Sequence, residues 1–201
     1  MDSEARTYYR QRAPEYDDWW NGTGLFERRD RPGWQEDVAA LCAALEALPP
    51  ARTLDVGCGT GFLTAHLPGD VIGLDQSEEM LAIARDRLPE AQLVAGDGVH
   101  PPFADGSFDR IHAGHFYGHL DERQRLEFLG SAGRLAGELV ITDSALRDGG
   151  VPERHDERVL NDGSHHQVYK RWFTPEGLID ELGGGEVVFA GEWFVSVRFS
   201  R

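Results

Sequence analysis

The chain has 201 residues, 40% of them hydrophobic, with 35 acidic against 20 basic side chains and a formal net charge of -15. That length suffices for a single domain with its own core, while the negative charge repels nucleic-acid phosphates and anionic membranes, with no basic run to offset it. Two cysteines, Cys42 and Cys58, are too few for a disulfide framework, no Cys/His spacing suits zinc, and neither a signal peptide nor an apolar run near ~20 residues is present, so a metal-free cytoplasmic protein is expected.

The first 50 residues carry Tyr8, Tyr9, Tyr16, Trp19, Trp20 and Trp34 and lie outside any βα rhythm. They are expected to form an amino-terminal helical lid. From Thr53 short apolar runs alternate with helix-like stretches, the pattern of an α/β fold with a parallel sheet. Strands are expected at 53–57, 71–75, 92–96, 108–114 and 137–143, with helices from Gly61 to His66, Ser77 to Leu88 and Asp121 to Leu135. Residues 145–171, rich in His, Asp and Arg, break the rhythm and read as a cap insertion. Within them Asn161-Asp162-Gly163 marks a turn between two short strands, Glu157–Leu160 and His166–Trp172. A helix opened by Thr174-Pro175-Glu176 and stopped by Gly183 follows, then strands at 186–190 and 192–199 that form a terminal antiparallel hairpin around Gly191. The expected whole is one domain over 1–201 with a seven-stranded, mostly parallel sheet.

The sharpest local signal is Asp55-Val56-Gly57-Cys58-Gly59-Thr60-Gly61, where a strand runs into three alternate glycines. Glycine lets the backbone turn tightly and approach a ligand. A dinucleotide site requires G-x-G-x-x-G, and the third glycine of that pattern falls here on Phe62, which disfavours NAD. The spacing suits a ligand without pyrophosphate whose cationic amino-acid end faces Asp55. Twenty residues on, Asp75 ends the second strand, where a carboxylate can accept both hydroxyls of a ribose; Gln76 follows it and Met80 lies one helical turn further. After the third strand comes Gly96-Asp97-Gly98-Val99.

With this succession the sequence resembles the class I S-adenosylmethionine-dependent methyltransferases, a Rossmann-like family, over about residues 50–143. The resemblance implies S-adenosylmethionine as cofactor and no metal, with Asp97 and Gly98 at the adenine and Tyr9 and Tyr16 closing over the ligand. The segments YYRQRAPEYD (8–17), GHFYGHLDERQRLEFL (114–129) and ERVLNDGSHHQVYKRWFTPEGL (157–178) are further similar to the small bacterial phosphonate O-methyltransferases of dehydrophos biosynthesis. In those enzymes an arginine and a lysine of the cap hairpin hold the phosphonate, and these match Arg158 and Lys170, the latter being the chain's sole lysine. Trp19 to Gly33 departs from that pattern in length and residues.

His115 and His119, past the fourth strand, stand where the methyl group is expected. A histidine there orients an acceptor or takes its proton, whereas His112, inside the strand, reads as buried structure. Arg158 and Lys170 are expected side by side across the hairpin, a cationic pair for an anion. The expected activity is methylation of a small anionic molecule, a phosphonate or carboxylate. Two alternatives stay open: a neutral hydroxyl or amine acceptor with a histidine base, and a protein that binds the cofactor without transferring methyl. The sequence leaves the oligomeric state open.

Overall fold

The computed structural model describes residues 3–201, with side chains from Thr7 onward. Nine strands and six α-helices are assigned among these residues. The amino-terminal stretch contains α1 (Ser3–Arg12), the single turn α2 (Asp18–Asn21) and α3 (Trp34–Glu46). Then come β1 (Ala51–Val56), β2 (Gly69–Asp75), α4 (Glu78–Arg87), β3 (Gln92–Ala95), β4 (Arg110–Gly114), α5 (Glu122–Leu135) and β5 (Glu138–Ser144). The cap strands are β6 (Glu153–Val159) and β7 (His165–Arg171), followed by α6 (Pro175–Leu182), β8 (Glu186–Ala190) and β9 (Phe194–Ser200).

Seven strands form one sheet in the order β3-β2-β1-β4-β5-β9-β8, parallel through β5, with β9 antiparallel to both neighbours. The chain leaves β1 towards β3 and then returns to lay β4 on the other side of β1. A crevice opens at that reversal, outside the strands' carboxyl ends. Residues 57, 75, 96 and 115, each just at or past the end of a parallel strand, thereby share one edge.

Both faces of the sheet are covered. On one, α3 turns Trp34, Val38, Leu41 and Leu45 inward at helical spacing, against Leu63, Leu67, Val140 and Phe194. On the other, Phe128, Leu135 and Leu178 of α5 and α6 pack with Ile111, Ile141 and Val197. Local signals place the helix ends: Ser77 and Thr174 accept from the backbone amides of Met80 and Gly177, and Asp121 with Gln124 forms a capping box.

Three expectations change. The helix expected from Gly61 to His66 is only a 3-10 turn over Thr64–His66, because Leu67 turns extended before Pro68 and β2 begins at Gly69. Helix α3 (Trp34–Glu46), expected within the amino-terminal lid, belongs instead to the sheet's packing layer. The first cap strand starts earlier than expected, at Glu153, since the polar stretch Glu153–Val159 has no hydrophobic alternation to announce it, while the second keeps its expected length over His165–Arg171. No described helix is long and apolar enough to cross a membrane.

Candidate active site

Two cavities meet at the sheet's carboxyl edge. The narrower leaves about 50 Å3 of free volume and is walled by Gly57, Gly59, Asp75, Gln76, Met80, Asp97 and Gly98, with Tyr9 and Tyr16 on its roof side. The larger, about 670 Å3, lies between the amino-terminal segment and the cap hairpin. Tyr9, Tyr16, His115 and His119 border both.

In the narrow cavity the glycine turn takes left-handed angles, φ 71° at Gly57 and 54° at Gly59. A side chain on Gly59 would point at Tyr16, whose Cε1 lies 3.8 Å from the position of a Cβ, filling the space between loop and roof. Asp75 anchors this loop: its two carboxylate oxygens accept from the amides of Gly59 and Ser77, each at 2.9 Å. Burial pushes its carboxyl above the ordinary range, and the amides of Ser77, Gly59 and Gln76 pull the other way. The carboxylate keeps acceptor capacity beyond these amides for a ligand hydroxyl. Asp97 accepts from the Val99 amide at 2.9 Å, and Met80 is 1% exposed.

Asp55 corrects the sequence reading. It does not border the narrow cavity; its carboxylate accepts from Thr64 Oγ1 at 2.5 Å and from His112 Nδ1 at 2.7 Å. His112 Nε2 meets Thr142 Oγ1 at 3.2 Å, which meets Ser196 Oγ at 2.9 Å. The result is a buried polar chain through β1, β4, β5 and β9 that engages this carboxylate, which borders a separate small cavity with Gly57, Thr60 and Gly114.

The roof is tied down at both sides of Tyr16. Asp17 accepts from Thr60 Oγ1 at 2.6 Å and from Arg87 at 2.5 Å, while Glu15 accepts from the amide of Asn161 in the cap turn at 2.8 Å. These acids join the amino-terminal segment to the glycine turn, to α4 and to the cap. Sequence spacing does not reveal them, because their partners lie 43, 70 and 146 residues away.

His115 has φ 52°, the left-handed region otherwise occupied only by glycine among the described residues. Such a backbone costs about 1–3 kcal/mol and persists where surroundings impose it. Its ring meets Trp19 and Trp20 edge-on, with centroids 4.8 and 5.1 Å away. Burial pushes its pKa down to about 3, with Asp143 opposing. Nε2 is buried without a hydrogen-bond partner among the described residues. His119 donates from Nδ1 to the Tyr169 carbonyl at 2.8 Å, which leaves its Nε2 as an acceptor; burial holds its pKa well below the usual histidine value. Both rings are therefore neutral near pH 7.

The expected neighbours Arg158 and Lys170 are not adjacent. Arg158 pairs in register with His166, and Lys170 with Arg154. They share one face of the hairpin, with Asp156 and Val168 between them. Each is already partnered: Arg158 donates to Asp156 at 3.0 Å, and the buried Lys170 ammonium donates to Asp143. Asp143, at the end of β5, also accepts from the Gly118 amide at 2.7 Å and lies 3.7 Å from His115 Nδ1. Burial alone raises its pKa, but the Lys170 ammonium holds it below its ordinary value. Asp143 is the chief residue missed from sequence, although it ends a parallel strand just as Asp75 does. Around the rest of the larger cavity stand Arg12, Arg29, Arg31, Arg147 and Arg154, so seven cations face only Asp148, Asp156 and Glu192.

Residues 54–132 match the family model described as a methyltransferase domain. An uncharacterized methyltransferase of Alkaliphilus oremlandii is 31% identical over 153 residues, 73% of this chain and 66% of that one. A demethylmenaquinone methyltransferase of Thermotoga maritima is 32% identical over 98 residues, 46% of this chain and 42% of that one. The chain thus spans about two thirds of the first relative and less than half of the second. Among solved structures, one described as a DhpI–SAM–HEP complex shares the fold with a TM-score of 0.77 at 24% identity over 98% of each chain. Another, described as a DhpI–SAH complex, gives 0.69 at 24% identity over 96% of this chain and 92% of that one. The domain match, the sheet order and these relatives together show a methyltransferase domain with the class I, Rossmann-like methyltransferase fold.

Proposed function

We propose that this protein transfers a methyl group to an oxygen of a small anionic metabolite, a carboxylate or phosphonate. The observation that carries the reading is the shared wall. Two neutral histidines and two tyrosines separate a glycine-floored, acid-anchored cavity from one lined by seven cations in a protein of net charge -15. The narrow cavity fits the cofactor by its donor set. Asp75 offers lone pairs to ribose hydroxyls, Asp97 and the Gly98 backbone meet the adenine edge beside Met80, Gly57 and Gly59 let the chain approach closely, and Tyr9, Tyr16 and Gln76 complete the enclosure.

When bound, S-adenosylmethionine supplies an electrophilic methyl: the acceptor oxygen's lone pair forms the new O–C bond while the C–S pair returns to sulfur. Carboxylates and phosphonates are ionised at neutral pH, so no base is required. That agrees with His115, whose depressed pKa makes it a weak base. The protein's task is alignment and water exclusion: His115 and His119 orient the acceptor, and Arg158 with the Lys170–Asp143 pair holds its position. Screening small carboxylates and phosphonates for formation of S-adenosylhomocysteine tests the proposal. Turnover restricted to neutral alcohols or amines would overturn it, as would cofactor binding with no turnover on any acceptor.

A further inference from the structure

The positive charge of the larger cavity is unevenly compensated. On the cap side Arg154 and Arg158 share Asp156, and Lys170 is matched by Asp143. On the amino-terminal side Arg12, Arg29 and Arg31 have no carboxylate partner among the described residues. They rest on rings instead: Arg12 over Tyr8, Tyr16 and Phe26, Arg29 over Phe26 at 4.6 Å, and Arg31 over Trp34 at 3.9 Å with one amino group on the Trp19 carbonyl at 3.1 Å. Arg12 is only 6% exposed. Aromatic faces and a carbonyl fix the direction of a guanidinium without neutralising it.

These three charges also repel one another. Arg29, although exposed at the cavity mouth, is destabilised as a cation by partial desolvation and then by Arg158 and Arg12, with Asp156 opposing, and Arg31 by partial desolvation and then by Arg29. Like charges gathered in an acidic protein, oriented and without a carboxylate bonded to them, describe an anion site. Its position matters. Arg29 and Arg31 border only the larger cavity, whereas the acceptor atom is expected at the shared wall by His115 and His119. Both arginines lie within Trp19 to Gly33, the segment that departs from the related phosphonate enzymes.

Resting on the methyl-transfer reading above, we propose that Arg29 and Arg31, backed by Arg12, bind a second acidic group of the substrate, distinct from the group that is methylated. The chemistry favours such a handle. Methylating an oxyanion removes one negative charge at the acceptor, so recognition through that group alone weakens as product forms. A remote carboxylate or phosphate keeps its charge throughout. The substrate class is therefore a diacid whose acidic ends are separated by a short spacer, with the spacer running past Trp19 and Trp34.

The test uses α,ω-dicarboxylates from succinate to suberate and monocarboxylates of the same lengths, titrated by calorimetry into protein loaded with S-adenosylhomocysteine. The best diacid is expected to bind about tenfold or more tightly than its monoacid. Arg29→Gln and Arg31→Gln should each collapse that ratio towards one, while Arg28→Gln, an exposed neighbour outside the cavity, should keep it. S-adenosylhomocysteine affinity in every variant reports intact folding. A wild-type ratio near one, or a ratio that survives both cavity substitutions, overturns the subsite. A diacid preference lost in the variants without any turnover supports the subsite and removes the methyl-transfer reading. Turnover of monoacids with no diacid preference does the opposite.

Discussion

Lys170 and Asp143 form an ion pair at the floor of the larger cavity in which neither side chain is more than 4% exposed. Removing one partner of a buried pair strands the other charge and costs about 3–5 kcal/mol. Lys170→Met is accordingly expected to lower unfolding stability by about that amount in urea titrations. Arg158→Gln should change stability by less than about 1 kcal/mol, since its pair with Asp156 is partly exposed, while raising KM for an anionic acceptor. Equal stability losses in the two variants would refute this division of roles.

Replacing Asp75 by Ala removes the acceptor proposed for the ribose and releases the Gly59 amide. Hydrogen bonds to a charged group contribute roughly 1.5–3 kcal/mol each, so S-adenosylhomocysteine affinity should fall about tenfold or more. Isothermal titration reads this directly. Unchanged affinity would remove Asp75 from the cofactor site.

His115 sets an acid limit. With its native pKa pushed down to about 3 against an ordinary value of 6.5, the unfolded chain takes up a proton between those values that the folded chain refuses. The destabilisation is absent above pH 6.5 and grows on acidification, by about 1.4 kcal/mol per pH unit. His119, shifted in the same direction, adds to it. His115→Asn keeps a residue tolerant of left-handed φ and should flatten the fall in urea midpoint between pH 6.5 and 5. An identical slope in variant and wild type would contradict the burial account.

Asp17→Ala cuts the roof from Thr60 and Arg87. A partly exposed ion pair contributes about 0.2–1 kcal/mol and a hydrogen bond about as much again. S-adenosylhomocysteine should then bind several-fold more weakly, with the change in the dissociation rate as followed by stopped-flow fluorescence. Faster association with unaltered dissociation would argue against the latch.

What was legible in the sequence was what depends on near neighbours. The glycine spacing after β1, the acid closing β2 and the caps at Ser77, Asp121 and Thr174 are all local devices, and the parallel character of the sheet follows from the strand–helix alternation. Asp55 misled because a carboxylate before a glycine turn can face either way, and only the arrival of His112 on the adjacent strand, 57 residues later, turns it inward. The hairpin turn at Asn161-Asp162-Gly163 was visible, yet the register that separates Arg158 from Lys170 depends on strand lengths that a charged, exposed ribbon does not encode in hydrophobicity. Arg29 and Arg31 look like surface charge until the fold brings their segment against the cap.

Tyr9 and Tyr16, which cover the narrow cavity, belong to the same amino-terminal stretch as Arg12, Arg29 and Arg31. Tyr9 and Tyr16 border both cavities, so on the proposed reading an acidic acceptor seated between that stretch and the cap would hold the same wall that covers the cofactor. Entry and exit are ordered on that reading: the methyl donor would go in first, the acceptor close the door behind it, and the demethylated cofactor leave last. Steady-state kinetics of compulsory-order form, with S-adenosylhomocysteine competing against the donor but not against the acceptor, follow from two ligands sharing one moving wall.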